Sequence, residues 1–196
     1  MLDVAAGTGR LTAELAKRFA HVVAVEPDER MRDVHGTALA GSAEEIPGKD
    51  SSFDAVFVAE AFHWFDPRRA IAEIARVLRP HGGLAIISVH WWETEPPLPE
   101  AALEVLREPY ERFAPQRNPP WDPAFEDGPF EPLRYERLEE AVELETDRLL
   151  ELYSTTSSLA ALSPEERAAL FARVRPLLED AYRLPVKHEL AWTRLA

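Results

Sequence analysis

The sequence predicts an α/β fold, a parallel sheet covered by helices on both faces, built from 196 residues. Three observations carry this. The stretch LDVAAG runs into a glycine loop, Gly7-Thr8-Gly9, and then into a helical pattern. Largely apolar runs recur at 21–25, 53–59 and 84–89, as strands buried on both faces do. Helical segments alternate with them in the manner of βαβ units.

The elements follow in order. A first strand falls within Met1 to Ala5. From Gly9 onward Leu11, Leu15 and Phe19 recur at spacings of four, with Ala13 and Ala16 adding helix propensity. His21 to Val25 reads as a buried strand ended by Glu26-Pro27, Asp28 to Val34 as a short helix, and Thr37 to Ala40 as a third strand. Phe53 to Ala59 is a fourth. Asp66-Pro67 caps a helix whose apolar stripe is Ile71, Ile74, Ala75 and Leu78, and Arg79-Pro80-His81-Gly82-Gly83 ends it. Leu84 to Val89 is a fifth strand. Ten prolines between 96 and 132 then break the chain into short pieces, yet Trp91, Trp92, Tyr110, Phe113, Trp121, Phe125 and Phe130 lie in or beside them. So many aromatics predict a packed insertion and not a linker. Ser163-Pro164-Glu165-Glu166 is a capping box before a helix carrying Leu170, Val174, Leu177 and Leu178, and Val186 to Leu195 alternates as a half-buried strand.

Length and a hydrophobic share of 46% suit one domain, 1–196: a core at 1–92, an insertion or substrate lid at 93–135, and C-terminal strands and helices at 136–196. The absence of cysteine excludes disulfides, thiolate metal sites and a cysteine nucleophile. No basic-then-apolar leader opens the chain, and no apolar run approaches the roughly 20 residues of a membrane helix, so the expectation is a cytoplasmic protein without a membrane partner. The formal charge of −13 argues against a nucleic-acid partner, which would call for clustered Lys and Arg. Residues 1–92 hold 13 acids and 10 bases, residues 93–196 hold 22 and 12, so the second half is the acidic one. Its run Glu139, Glu140, Glu143, Glu145 reads as a solvated face.

Three kinds of glycine loop compete for Asp3 to Gly9. A P-loop needs Lys followed by Ser or Thr after its last glycine, and Arg10-Leu11 stands there. A dinucleotide fingerprint needs a third glycine where Thr12 stands; a nicotinamide oxidoreductase would moreover bind reduced cofactor. Asp3-Val4-Ala5-Ala6-Gly7-Thr8-Gly9 resembles instead the first motif of class I S-adenosylmethionine-dependent methyltransferases, small-molecule type, with Ala5 where the family usually has its first glycine. The resemblance implies a Rossmann-like doubly wound, mostly parallel sheet of seven strands, the last antiparallel, and S-adenosyl-L-methionine as cofactor. It implies too that the loop backbone at Ala5, Gly7 and Gly9 lies against the methionine end, with Asp3 helping to hold its amino group. Small residues let the backbone approach a ligand closely, and a helix N-terminus suits a carboxylate.

Further motifs follow in the family's order. Glu26, with Pro27, ends the second strand 17 residues after Gly9, where an acid can accept both ribose hydroxyls. The plain alternative is a strand terminator. Gly41-Ser42-Ala43-Glu44-Glu45-Ile46-Pro47 resembles the adenine segment, with Ser42 where Asp is common; Ser42, Ala43 and Glu44 are its candidates. Met31 is a candidate to pack on adenine, with core packing as the alternative. Asp54 is read as structural. Arg76 to Gly83 resembles the helix-to-strand turn before the fifth strand.

The segment Glu60-Ala61-Phe62-His63-Trp64-Phe65-Asp66 follows the fourth strand, where such folds place substrate and methyl group. It resembles the trans-aconitate methyltransferase-like group, as do Tyr153 to Ser157 and the closing strand. This implies in-line methyl transfer to a small organic acceptor, a carboxylate or hydroxyl oxygen, with positioning supplying much of the rate. His63 is the candidate base, its alternative a turn-shaping histidine. Glu60 is a cofactor-side candidate, and Phe62, Trp64, His90 and Trp121 are substrate-side ones. Trp64, Trp91, Trp92 and Trp121 either wall a pocket or pack as core. An anionic acceptor would need an arginine such as Arg68, Arg69 or Arg134. Asn118-Pro119-Pro120-Trp121 spells the signature of adenine and glutamine amino methylation, but it lies about 60 residues past the fourth strand that it should follow. No metal is expected, because no His and acid cluster has ligand spacing.

In the family a helical stretch precedes the first motif and covers the cofactor. Its absence here predicts a site open on one side, for which a second copy, as a homodimer, is a candidate cover. A methyltransferase-like protein that binds cofactor weakly, or only binds, is the alternative function.

Overall fold

A computed structural model describes residues 1–90, 98–112 and 120–196. Trp91, Trp92, Phe113, Asn118 and Pro119, singled out above, lie outside the described residues. Seven strands, β1 (Leu2–Val4), β2 (Val23–Glu26), β3 (Leu39–Ala40), β4 (Phe53–Ala59), β5 (Leu78–His90), β6 (Arg134–Glu145) and β7 (Ala181–Arg194), form one sheet. Its order is β3-β2-β1-β4-β5-β7-β6, mostly parallel with the last strands antiparallel. β1 lies between β2 and β4, with Asp3 beside Ala24 on one side and Phe57 on the other.

Two compact units share the chain. One comprises the described residues of Met1–Val89, Arg117–Arg137 and His188–Ala196, the other those of His90–Gln116 and Leu138–Lys187. The first unit holds α1 (Arg10–Ala16), α2 (Glu29–His35) and α3 (Pro67–Val77). Its core is the one the apolar runs predict: Leu2, Val4, Val25, Val56, Val58, Leu84 and Ile86 from the strands, with Ala70, Ile71, Ile74 and Val77 from α3. Phe125 and Phe130 of the proline-rich stretch are buried in the same core, and Trp121 packs against it. Asp66 caps α3 by accepting the Arg69 N–H at 3.2 Å, as the Asp-Pro pair predicts.

The second unit contains α4 (Glu100–Arg112), α5 (Thr146–Ser154), α6 (Ser157–Ala160) and α7 (Pro164–Val174). Ser163 and Glu166 form the expected capping box at the start of α7. The acidic run at 139–145 belongs to β6, largely exposed, so it is a solvated face built as a strand.

Several boundaries differ from the sequence expectation, each for a local reason. α1 stops at Ala16, and Phe19 reaches its place through a turn in which its N–H donates to the Leu15 carbonyl at 2.9 Å. Its ring then meets Phe57, centroids 6.1 Å apart, so the apolar spacing was real and the helix was not needed to deliver it. β2 begins at Val23 and not at His21. β5 begins at Leu78, since Arg79 to Gly83, expected to be a turn, is an excursion within the strand. The register shows it: Phe53 lies beside Leu78 and Ala55 beside Gly83. His81, at φ 63, turns the backbone there. α7 ends at Val174 because Pro176 starts a tight turn, which leaves Leu177 and Leu178 off the helix and Leu177 partly exposed.

Candidate functional site

The candidate cofactor residues gather at one edge of the sheet. β1, β2, β3 and β4 are parallel, so their carboxyl ends share an edge, and the segments 5–9, 26–28, 41–47 and 60–65 all leave from it.

The glycine loop is built from left-handed residues: Ala5 at φ 56, Gly7 at φ 56 and Gly9 at φ 89. A glycine adopts these freely, whereas alanine pays a steric cost of about 1–2 kcal/mol. Ala5→Gly is therefore expected to raise stability by about 1 kcal/mol and Tm by about 2–4 °C, read by scanning calorimetry; a lowered Tm would contradict strain at this position. The face over Gly7 is open, since a Cβ placed there would meet only the Met31 Sδ, at 3.9 Å.

Glu26 ties this loop to β2. Its side chain is enclosed, 4% exposed, with Oε2 accepting the Gly7 N–H at 2.8 Å and Oε1 accepting the Asp28 N–H at 2.9 Å. A carboxylate has about four acceptor positions, so each oxygen retains one for a ligand hydroxyl. Pro27 follows it, and Arg32 donates to the carbonyls of Glu26 and Pro27 at 2.9 and 2.6 Å, holding the turn from α2.

Asp3 is the other enclosed acid among the described residues, 1% exposed on β1. Thr12 of α1 donates its hydroxyl proton to Asp3 Oδ2 at 2.5 Å, and His35 Nε2 lies 3.0 Å from the same hydroxyl. Burial pushes the Asp3 carboxyl above its ordinary range, the Thr12 hydrogen bond and the nearby His35 opposing it.

The segment 41–47 is a tight turn: Ser42 and Glu45 exchange backbone hydrogen bonds at 3.2 and 3.3 Å, with Ala43 buried beneath. Gly41 is required because a Cβ there would stand 2.5 Å from Pro47 Cδ. Glu44 reaches back to accept the Asp66 N–H at 3.0 Å, and Glu73 of α3 accepts the Ile46 N–H at 3.0 Å. Arg76 binds Glu73, Asp50 and the carbonyls of Ile46 and Gly48, and its guanidinium holds Glu73 below the usual carboxylate range.

Met31 is 44% exposed on α2, none of whose residues is buried, and its sulfur lies over the glycine loop. Glu60 ends β4 in the left-handed region, φ 54, with its carboxylate accepting the Val89 N–H. Phe62 is 2% exposed, its ring 5.2, 5.0 and 5.9 Å from Phe65, Trp121 and Phe125, so Phe62 and Trp121 are packing partners within the core. His63 and Trp64 are exposed, their rings 4.7 Å apart. His90 ends β5, half-buried, and belongs to the second unit. Asp54 pairs with Arg79 at 2.5 Å on the surface, a structural contact as expected, and Arg134 lies over the Trp192 ring.

The comparisons with known proteins converge. The methyltransferase domain family matches residues 2–86, the span of the loop, both enclosed acids and the turn at 41–47. An uncharacterized methyltransferase of Mycobacterium tuberculosis is 39% identical over 184 residues, covering 91% of this chain and 72% of its own. The chain belongs to the class I S-adenosylmethionine-dependent methyltransferases. A methyltransferase-like protein of Schizosaccharomyces pombe is 31% identical over 195 residues, 94% of this methyltransferase and 74% of that protein. Geranyl diphosphate C-methyltransferase from Streptomyces coelicolor, solved with magnesium, geranyl diphosphate and S-adenosyl-L-homocysteine, shares the fold at a TM-score of 0.56 and 14% identity. That alignment covers 100% of this chain and 71% of the other. The methyltransferase uses S-adenosyl-L-methionine as its cofactor. Among its described residues no helix is long and apolar enough to cross a membrane, and no group of three His, Cys, Asp or Glu could hold a metal ion.

The contacts that Thr12, His35, Glu73 and Arg76 make around this methyltransferase's candidate site were not legible in the sequence, where Arg76 figured only as the start of the turn before the fifth strand. Glu73 and Arg76 pair with each other within α3, but the groups that they hold, the Ile46 N–H and the carbonyls of Ile46 and Gly48, lie in another segment, and Thr12 and His35 meet across separate helices, so no sequence period marks those contacts. Thr12 did stand out, but only as the residue that spoils a dinucleotide fingerprint.

Proposed function

We propose that this methyltransferase transfers the methyl group of S-adenosyl-L-methionine to a small organic acceptor, a carboxylate or hydroxyl oxygen, at the carboxyl ends of β1, β2 and β4. One observation carries the reading: the enclosed Glu26 carboxylate bound to the Gly7 N–H, which joins a loop shaped for close approach to an acid with spare acceptor positions. In this reading Asp3 receives the cofactor's amino group, the backbone of Ala5, Gly7 and Gly9 lies along its methionine portion, and Glu26 and Pro27 hold the ribose. Met31 covers the adenine from one side, and Ser42, Ala43 and Glu44 meet its edge, the turn being held by Glu73 and Arg76. Glu60 closes the methyl-bearing end. The bound sulfonium supplies an activated methyl group with a good leaving group.

On the acceptor side stand His63 and Trp64, exposed at the same edge of the sheet. A small-molecule acceptor is supported by the geranyl diphosphate enzyme of like fold and by the AFHWFD resemblance to the trans-aconitate group. Orienting an oxygen for in-line attack is the main task of these residues. A carboxylate needs no base, whereas a hydroxyl must give up its proton, and His63 takes it.

Calorimetric titration with S-adenosyl-L-homocysteine tests the cofactor site, micromolar affinity being expected; absence of binding would sink the reading. Transfer of labelled methyl to a panel of hydroxy and carboxylic acids tests the chemistry. For a hydroxyl acceptor His63→Ala should lower kcat about 100-fold with little change in homocysteine-product affinity, and for a carboxylate acceptor it should change kcat less than about 3-fold. An unchanged kcat with a hydroxyl acceptor would remove His63 from the chemistry.

A further inference from the structure

His35 stands beside the glycine loop and has no part in the mechanism proposed above. It is the last residue of α2, followed by Gly36, whose left-handed backbone, φ 80, closes the helix with its N–H donating to the Arg32 carbonyl at 2.8 Å. The imidazole does not point away from the loop. A Cβ placed on Gly9 would stand 2.8 Å from its Cδ2 and 3.0 Å from its Nε2, so the ring is packed directly on the last residue of the loop.

With Asp3 ionised and the imidazole neutral, its hydrogen bonds are assigned from the Thr12 hydroxyl outward. The single hydroxyl proton of Thr12 goes to Asp3 Oδ2 at 2.5 Å, so at 3.0 Å the Thr12 oxygen must accept, and His35 Nε2 carries the donated proton. Nδ1 is then the acceptor, facing the Thr37 N–H at 3.4 Å and the Thr37 hydroxyl at 3.3 Å. The chain Thr37, His35, Thr12, Asp3 thus runs from the end of α2 through α1 to β1, each member using the hydrogen-bonding capacity left by its neighbour.

We infer that His35 is a positioning residue for the cofactor's amino group: by donating to Thr12 it fixes the hydroxyl on Asp3 Oδ2, and with its ring against Gly9 it sets the distance between that carboxylate and the loop. This rests on the reading of Asp3 given above. With Oδ2 held by Thr12, Oδ1 is the oxygen kept for an incoming ammonium group. Loss of the imidazole releases the Thr12 hydroxyl to turn from Asp3, and leaves a gap beside Gly9 into which the loop relaxes. The effect falls on the amino-acid end of the ligand and spares its nucleoside end.

Two ligands separate these ends: S-adenosyl-L-homocysteine, which carries the amino acid, and 5′-methylthioadenosine, which lacks it. Calorimetry on the full chain is expected to show His35→Asn weakening S-adenosyl-L-homocysteine about 10-fold and methylthioadenosine less than 2-fold. Asparagine reaches the Nδ1 position but not Nε2, whereas His35→Gln places an N–H near Nε2 and should restore affinity to within about 3-fold of the parent. Equal weakening of both ligands, no weakening of either, or failure of glutamine to restore affinity would overturn the assignment. If His35→Asn does not fold by circular dichroism, Thr12→Val against Thr12→Ser carries the same test, serine keeping the hydroxyl. The parent reading fails separately, when Asp3→Asn leaves S-adenosyl-L-homocysteine affinity unchanged.

Discussion

Glu26→Ala should remove about 2–4 kcal/mol of stability and abolish measurable binding of S-adenosyl-L-homocysteine. The reason is that the Glu26 oxygens serve two purposes at once. Within the protein they satisfy the N–H groups of Gly7 and Asp28, both partly buried beside an acid that is itself enclosed. Each orphaned donor costs about 1–3 kcal/mol when no partner replaces the lost one. In the function proposed above, the acceptor positions that remain are the ones that would take the ribose hydroxyls. Glu26→Gln separates the two purposes, since it keeps the shape but turns one oxygen into an NH2 that must face an N–H donor. It should cost about 1–2 kcal/mol in stability and weaken the ligand 10- to 100-fold. Urea denaturation and calorimetry read both quantities; a Glu26→Ala variant as stable as the parent would show that the Gly7 and Asp28 contacts contribute nothing, and that the loop is held some other way.

Asp3→Asn should do the opposite to stability while still damaging binding. Asp3 is enclosed, and burial raises its pKa above the ordinary aspartate range. For an acid with a raised folded-state pKa, the favourable contribution is fully present below the unfolded pKa and is lost as pH rises through the folded pKa, so at pH 7–8 the ionised group works against the fold. Asparagine removes that cost and keeps an oxygen to accept the Thr12 hydroxyl. Its Tm at pH 8 should equal or exceed the parent's, and the stability it gains should vanish toward pH 3. S-adenosyl-L-homocysteine should bind more than 10-fold more weakly, about 1.4 kcal/mol or more, with methylthioadenosine affected less than about 3-fold. A Tm several degrees below the parent's at pH 8 would mean that the ionised carboxylate is a net stabiliser of the empty protein.

Much of the site was legible because its residues are close in sequence to the strands that position them. The acid on β1, the loop after it and the acid at the end of β2 are displayed by short strands whose other residues are apolar, and parallel pairing then brings their ends together. What lay beyond reach were contacts with no sequence period. Arg76 binds the carbonyls of Ile46 and Gly48 some 30 residues away, and His35 reaches Thr12 across 23 positions. The roles of Phe62, His63 and Trp64 were likewise undecided, because three adjacent residues in a tight turn point in different directions. The turn buries Phe62 and exposes His63 and Trp64.

The sequence by itself determined the fold class, the family, the cofactor and which segments leave the sheet at the working edge, because strand burial, glycine loops and capping pairs act over fewer than ten residues and leave a periodic or local trace. Only the tertiary structure decided how the enclosed acids are satisfied. The left-handed strain at Ala5 and Glu60, the double use of Glu26 and the path from His35 to Asp3 depend on which groups from distant elements meet in the limited space above the sheet, and hydrogen bonds there go to whatever donor or acceptor the packing leaves within about 3 Å.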